Sequence, residues 1–248
     1  MNKQRIEAIK AKQNYSIADL REIMEILRAP GGCPWDREQD HHSIRRNLIE
    51  ETYEVVEAID KDDMTLMREE LGDLLLQIVF HARIAEEDDE FDLDDVADGI
   101  CKKLILRHPH IFGDVKADTT EQVLANWDSI KKVEKHQRTD REVLDSVSHS
   151  LPSLIRADKI GSKARKFGYN DHADELENAS SKLTNCYNDM NNDAASETPK
   201  EASEAVGRLL FAAVSVAHRL GVDPEKALAD ECDRVVEDAK GCTVQKIL

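Results

Sequence analysis

Glu50-Glu51-Thr52-Tyr53-Glu54 and, beyond the turn Asp60-Lys61-Asp62-Asp63, Glu70-Leu71-Gly72-Asp73-Leu74-Leu75-Leu76 form the stretch that decides the fold. Ile44, Leu48, Tyr53, Val56 and Ile59 repeat at near-helical intervals, which predicts a helix from near Ser43 to Ile59. The helical period returns from Met64 to Glu87, and Leu71 to Ile84 is apolar enough to mark the central helix of a bundle. The short polar turn between them makes the pair a helical hairpin.

The same reading extends outward. Ser16-Ile17-Ala18-Asp19 has the form of a capping box, and Leu20, Ile23, Met24, Ile26 and Leu27 follow until Ala29-Pro30-Gly31-Gly32 breaks the pattern, giving a helix of about Ile17 to Arg28. Asp92 is placed to cap a helix from Leu93 to Arg107, which His108-Pro109 ends. Further helices are expected over Thr120 to about Gln137, Ser153 to Phe167, about Asp174 to Tyr187, Pro199 to Leu220 and Asp223 to Ala239, with Asn188 to Asn192 as a loop. No alternating strand pattern occurs, so the fold class is all-α.

Setting Glu70-Leu71-Gly72-Asp73-Leu74-Leu75-Leu76 over Ala205-Val206-Gly207-Arg208-Leu209-Leu210-Phe211 reveals an internal repeat. The expected organisation is therefore two related helical-bundle modules: the first over residues 1–118, a helical connector over 119–160, and the second over 161–248.

Composition narrows the function. Among 248 residues, 34 Lys and Arg face 51 Asp and Glu, a formal charge of −17 that repels polyphosphate backbones and argues against a nucleic-acid polymer as partner. No run approaches the roughly 20 apolar residues of a membrane span, so no membrane partner is expected. The charged start Met1 to Ser16 lacks the apolar centre of a secretory signal, so a cytoplasmic location is expected. The five cysteines contain no C-x-x-C pair and read as reduced thiols.

Chemistry resides in the acids. Glu51 and Glu54 share one helix face, as do Glu70 and Asp73 on the next helix, because both pairs are spaced i, i+3. Their midpoints, 52.5 and 71.5, are centred on residue 62 in the turn, so an antiparallel hairpin brings the two pairs level. Four such carboxylates repel one another unless cations neutralise them, and an all-oxygen donor set suits Mg²⁺, with Mn²⁺ as the alternative. Ordinary surface glutamates are the competing reading in so acidic a chain. Against it, Asp73 stands in an apolar stretch where an unpaired acid is costly, and Gly72 weakens the helix unless a backbone must come close. Lys103 and Arg107, spaced i, i+4 at a helix end, point either to a phosphate or simply to the negative end of the helix dipole. Trp35 is open to stacking on a nucleobase or plugging the core, with the core slightly favoured. Glu86 to Asp95 lacks the spacing of a calcium loop and reads as a solvated acidic run.

The order of motifs resembles the MazG nucleoside triphosphate pyrophosphohydrolases of the all-α NTP pyrophosphatase superfamily. It is carried by Gly32-Cys33-Pro34-Trp35-Asp36, Glu50 to Glu54, Glu69 to Leu75, Phe80-His81-Ala82 and Arg107-His108-Pro109-His110-Ile111-Phe112. The resemblance implies hydrolysis of a nucleoside triphosphate to the monophosphate and pyrophosphate, with Glu51, Glu54, Glu70 and Asp73 holding Mg²⁺. It also implies that Lys103 and Arg107 meet the triphosphate and that such modules dimerise; a homodimer in which like modules pair is expected here. Glu50 is open to orienting the attacking water or to a surface role. The second module departs from the pattern: Ala205 and Arg208 replace the E-x-x-D pair, Ala179 to Tyr187 carries no carboxylate, and Arg234 and Asp238 replace the basic pair. It is expected to be catalytically dead, which leaves a helical scaffold or nucleotide sensor as the alternative function for the chain.

Overall fold

The computed structural model describes residues 3–134, 139–191 and 199–240, and among them every regular element is helical. The chain divides into two compact units, Met1–Trp127 and Asp128–Leu248. Among the described residues no single helix is long and apolar enough to cross a membrane.

The first unit contains α1 (Lys3–Lys10), α2 (Ile17–Arg28), α3 (Pro34–Glu38), α4 (Arg45–Asp60), α5 (Met64–Glu87), α6 (Leu93–Arg107), α7 (Pro109–Phe112) and the start of α8 (Thr120–Glu134). Capping fixes the long helices. Ser16 and Asp19 form the expected box, with the Ser16 N–H donating to the Asp19 carboxylate at 2.8 Å. Asp63 accepts from the Thr65 and Leu66 N–H groups at 3.0 Å, starting α5 just after Asp62 has reversed the chain at φ 53°. Asp92 and Asp95 cap α6 in the same reciprocal way. The helix α5 lies along α4 and also packs on α2 and α6. Met24, Ile44, Val79, Phe80 and Ile84 make the core, with Leu20, Leu75, Leu76 and Leu93 closing it.

One buried cation organises the end of this core. The Arg28 side chain, 6% exposed, donates to the Glu87 carboxylate at 2.7 Å and to the Gln39 carbonyl at 3.0 Å, bonds the Asp36 carbonyl, and stands 5.4 Å over the Phe80 ring. It thereby ties α2, the α3 segment and the last turn of α5 together. Glu86 is paired with Arg21 and Arg83, and Asp92 with Arg21. This corrects the reading of Glu86 to Asp95 as simply solvated, because Arg21 and Arg28 on α2 and Arg83 one turn earlier on α5 hold Glu86, Glu87 and Asp92.

The second unit contains the rest of α8, α9 (Asp140–Asp145), α10 (Ser153–Lys166), a 3₁₀ turn (Ala173–Glu175), α11 (Leu176–Asn191), α12 (Pro199–Arg219) and α13 (Pro224–Lys240). Here α12 takes the place of α5, packing on α10, α11 and α13. The two units thus repeat one helical arrangement. Gly161 lets α10 approach α12 closely, since a Cβ there would stand 3.2 Å from the Ser215 hydroxyl.

The expected loop Asn188 to Asn192 is corrected as far as Asn191, where α11 continues; Asn192 lies outside the described residues. Its Asn-rich composition lowers helix propensity, yet propensity is weak beside the hydrogen bonding of the preceding turns. The expected end of α8 near Gln137 also falls outside them. The helix α4 starts two residues later than Ser43, because the Asp40 carboxylate captures the His42 and Ser43 N–H groups at 2.9 and 2.7 Å in a turn.

Asp171 is the buried charge of the second unit, its side chain 1% exposed. Burial alone would raise its pKa, but hydrogen bonds from Arg219, at 2.7 Å, and from Arg165 overcome that and hold it at about 2. A depressed carboxyl stabilises the fold above its unfolded pKa near 3.8, and that stabilisation is lost as pH falls through about 2. The difference corresponds to about 2 kcal/mol at neutral pH. Asp171→Asn is therefore expected to lower the melting temperature at pH 7, with the gap to wild type shrinking between pH 5 and pH 2.5. A gap independent of pH would mean that the charge of Asp171 contributes nothing.

Candidate metal centre

The hairpin of α4 and α5 gathers acids at one level. Glu51, Glu70 and Asp73 each offer a carboxylate oxygen, and these oxygens lie within 4.8 Å of one another. Glu54 adjoins them and shares a hydrogen bond with Glu51. Burial first, then the Glu54 hydrogen bond and the negative charges of Asp73, Glu54 and Glu70, push the Glu51 carboxyl above its ordinary range. Glu70 is raised as well, by partial burial and then by Glu54, Asp73, Glu69 and Glu57. Every charge in those two sets is negative, so the spot is short of a cation. The donor chemistry fits a hard divalent ion, being carboxylate oxygen throughout.

Two supports for this site are corrected by the structure. Asp73 is exposed rather than set among apolar side chains, because helical neighbours diverge by about 100° and Leu74, Leu75 and Leu76 turn toward other surroundings. Gly72 accommodates no close backbone, since a Cβ built on it would meet nothing within 4 Å. What marks the site is the mutual approach of the acids, and neither of those local costs.

The other candidates have exposures and partners of their own. Glu50 is exposed and paired with Arg46 at 2.8 Å. Trp35 is 55% exposed, with its ring edge-on to Phe80 at 6.4 Å, so it is no core plug. The α3 segment that carries it is held by Arg28, which leaves the indole at the surface. Lys103 is exposed on α6, and the Arg107 guanidinium lies 5.4 Å over the ring of Trp127. Sequence reading missed the pair His41 and His81, whose rings stack at 5.1 Å with their Nδ1 atoms 2.8 Å apart. Burial and then His41 lower the His81 pKa. The Phe80-His81-Ala82 motif was the available signal, but nothing local pointed to a histidine 40 residues away.

At the counterpart position in the second unit Ala205 is buried and Arg208 lines an open cavity of about 740 Å³ with His172, Glu175, Glu204, Gly207 and Phe211. Glu175 is paired with His172 at 2.9 Å. Arg234, from the degenerate basic pair, is bound to Glu231.

An all-α hairpin that presents clustered carboxylates from two adjacent helices defines a helical protein with a divalent-metal type of site. Residues 39–112, which span the whole cluster, match the family model described as the MazG nucleotide pyrophosphohydrolase domain. The chain is 40% identical over 222 residues to the nucleoside triphosphate pyrophosphohydrolase/pyrophosphatase MazG of Thermotoga maritima, covering 90% of this chain and 83% of that protein. It is 40% identical over 209 residues to a nucleoside triphosphate pyrophosphohydrolase of Escherichia coli K12, covering 83% and 79%. An uncharacterized protein of Bacillus subtilis, YabN, is 48% identical over 146 residues, which is 59% of this chain and 30% of that longer protein. The chain belongs to the MazG family.

Proposed function

We propose that the chain hydrolyses nucleoside triphosphates to nucleoside monophosphate and pyrophosphate at the acidic cluster of its first unit, with Mg²⁺ as cofactor and Mn²⁺ as a substitute. The observation that carries this reading is the approach of the Glu51, Glu70 and Asp73 oxygens to within 4.8 Å inside the family's matching segment. Glu51, Glu54, Glu70 and Asp73 would hold the cation. When bound, it would lower the pKa of the attacking water and neutralise the departing pyrophosphate. Glu50 leaves Arg46 to orient that water or accept its proton as it attacks the α-phosphorus. Lys103 and Arg107 take the outer phosphate oxygens, and the exposed face of Trp35 stacks on the base.

The chain acts as a homodimer in this reading. Tyr53 and Val56 on α4, Leu71 and Ile78 on α5, and Val96, Ile100 and Leu104 on α6 are each at least 40% exposed, more apolar surface than a bundle leaves open to water. A second copy covers it across a two-fold axis and gives two equal sites. The loss of acids from the second unit favours a scaffold or sensor as the competing reading. One preparation decides between them: pyrophosphate release from the four common nucleoside triphosphates with Mg²⁺ and with EDTA, and light scattering on the same sample. Metal-dependent release from a particle near twice 28.0 kDa is expected. No release under any condition would leave the scaffold, and full activity from a monomer would remove the dimer.

A further inference from the structure

The second unit holds a cavity of about 470 Å³ lined by four lysines from two helices. Lys159, Lys163 and Lys166 follow at intervals of four and three, so α10 presents them as one stripe, with Ser162 beside it. Lys131 comes from α8, and the segment after α9 adds Val147, 5% exposed, and the Ser148 hydroxyl. That hydroxyl oxygen accepts from the Ser150 N–H at 3.2 Å and keeps its own proton to donate. Asp158 is the one acid among the described lining residues, and its carboxylate is bound by the His218 Nδ1 at 2.6 Å. The dipole of α10 does not account for the set. It favours positive charge in the last turn alone, whereas Lys159 stands before that turn and Lys131 on another helix.

Four ammonium groups around one space repel one another until an anion sits among them. In a chain whose acids outnumber its bases 51 to 34, a gathering of that sign runs against composition. An ammonium is a compact charge with three rotatable donors, which suits the many oxygens of linked phosphates, whereas a lone planar carboxylate is better met by the arginine fork. The volume is that of a small-ligand site, and the net charge of −17 turns away a nucleic-acid backbone. We propose that this cavity binds the linked phosphates of a small molecule, either free pyrophosphate or the polyphosphate tail of a nucleotide. It lies wholly within the second unit, and its occupancy needs neither the acids of the first unit nor hydrolysis there.

The test is isothermal titration calorimetry on the full chain in EDTA at low salt, with inorganic pyrophosphate, one nucleoside triphosphate and inorganic phosphate as titrants. Pyrophosphate and the triphosphate are expected to bind, with phosphate at least about ten-fold weaker because it reaches fewer of the lysines. Tighter binding of pyrophosphate identifies the free anion as the ligand, and tighter binding of the triphosphate identifies the nucleotide tail. Lys163→Ala is expected to weaken the pyrophosphate complex about ten-fold, the size of one charge-assisted hydrogen bond, and Lys159→Glu with Lys163→Glu to abolish it. Lys103→Ala, in the first unit, is expected to leave the affinity unchanged. Circular dichroism on each variant verifies that the helices persist. Absence of binding, equal affinity for phosphate and pyrophosphate, or an affinity lost in Lys103→Ala and kept in both Lys163 variants overturns the site, while Mg²⁺-dependent hydrolysis by the first unit stands either way.

Discussion

Asp73→Asn and Glu54→Gln are each expected to reduce pyrophosphate release by at least about a hundred-fold with the helical fold intact. Outer-shell partners of metal ligands already cost about 10- to 100-fold when removed, and these residues are proposed as ligands themselves. Each change keeps the side-chain volume and removes one negative charge. Stability should move the opposite way when metal is withheld. Partial burial and the surrounding acids raise the Glu70 carboxyl in the folded chain, so the folded state binds its proton more tightly than the unfolded chain does. That contribution is present below the ordinary value of 4.5 and is lost as pH rises through the raised one, so at pH 7 the clustered charge opposes folding. Glu70→Gln is therefore expected to melt higher than wild type in EDTA, and to gain less on adding Mg²⁺, since ligand binding stabilises only a protein that has the site. Near-wild-type turnover in the Asp73 and Glu54 variants with Mg²⁺ present would mean that the metal site is misassigned.

Long helices were legible because periodicity and capping agreed. Ile17–Arg28, Met64–Glu87 and Leu93–Arg107 begin at Ser16, Asp63 and Asp92, whose side chains accept the first free N–H groups of each helix. The level arrangement of Glu51, Glu70 and Asp73 also followed from residue counting about the turn, since rise per residue is nearly constant in a helix. Four short helices, Lys3–Lys10, Pro34–Glu38, Pro109–Phe112 and Asp140–Asp145, escaped because so few residues hold too little of the apolar period to reveal it. The surroundings of individual side chains escaped for another reason. Trp35 lies at the surface because Arg28 holds its segment from a different helix, and Trp127 meets Arg107 from α8, across the intervening α7 and the segment after it. Neither contact leaves a local mark in the sequence.

Dividing the chain should divide its activity completely. A chain ending near Asp140 retains the α4–α5 hairpin, the acids and all of the first unit including Trp127, and is expected to release pyrophosphate with Mg²⁺. A chain beginning near Asp145 is expected to release none. It keeps the bundle, with Ala205, Ala212 and Val214 buried along α12, so loss of activity cannot be ascribed to loss of a core. What it lacks is charge in the right places. Ala205 cannot ligate a cation, Arg208 repels one, and Ala179 to Tyr187 on the facing helix offers no carboxylate. The two acids that do line its cavity are Glu175, paired with His172 at 2.9 Å, and Glu204. That pairing and the nearby guanidinium leave too little negative charge to offset the desolvation of a divalent ion. Pyrophosphate release measured on the two chains under identical conditions checks this, and metal-dependent hydrolysis by the second alone would overturn the assignment of chemistry to the first unit.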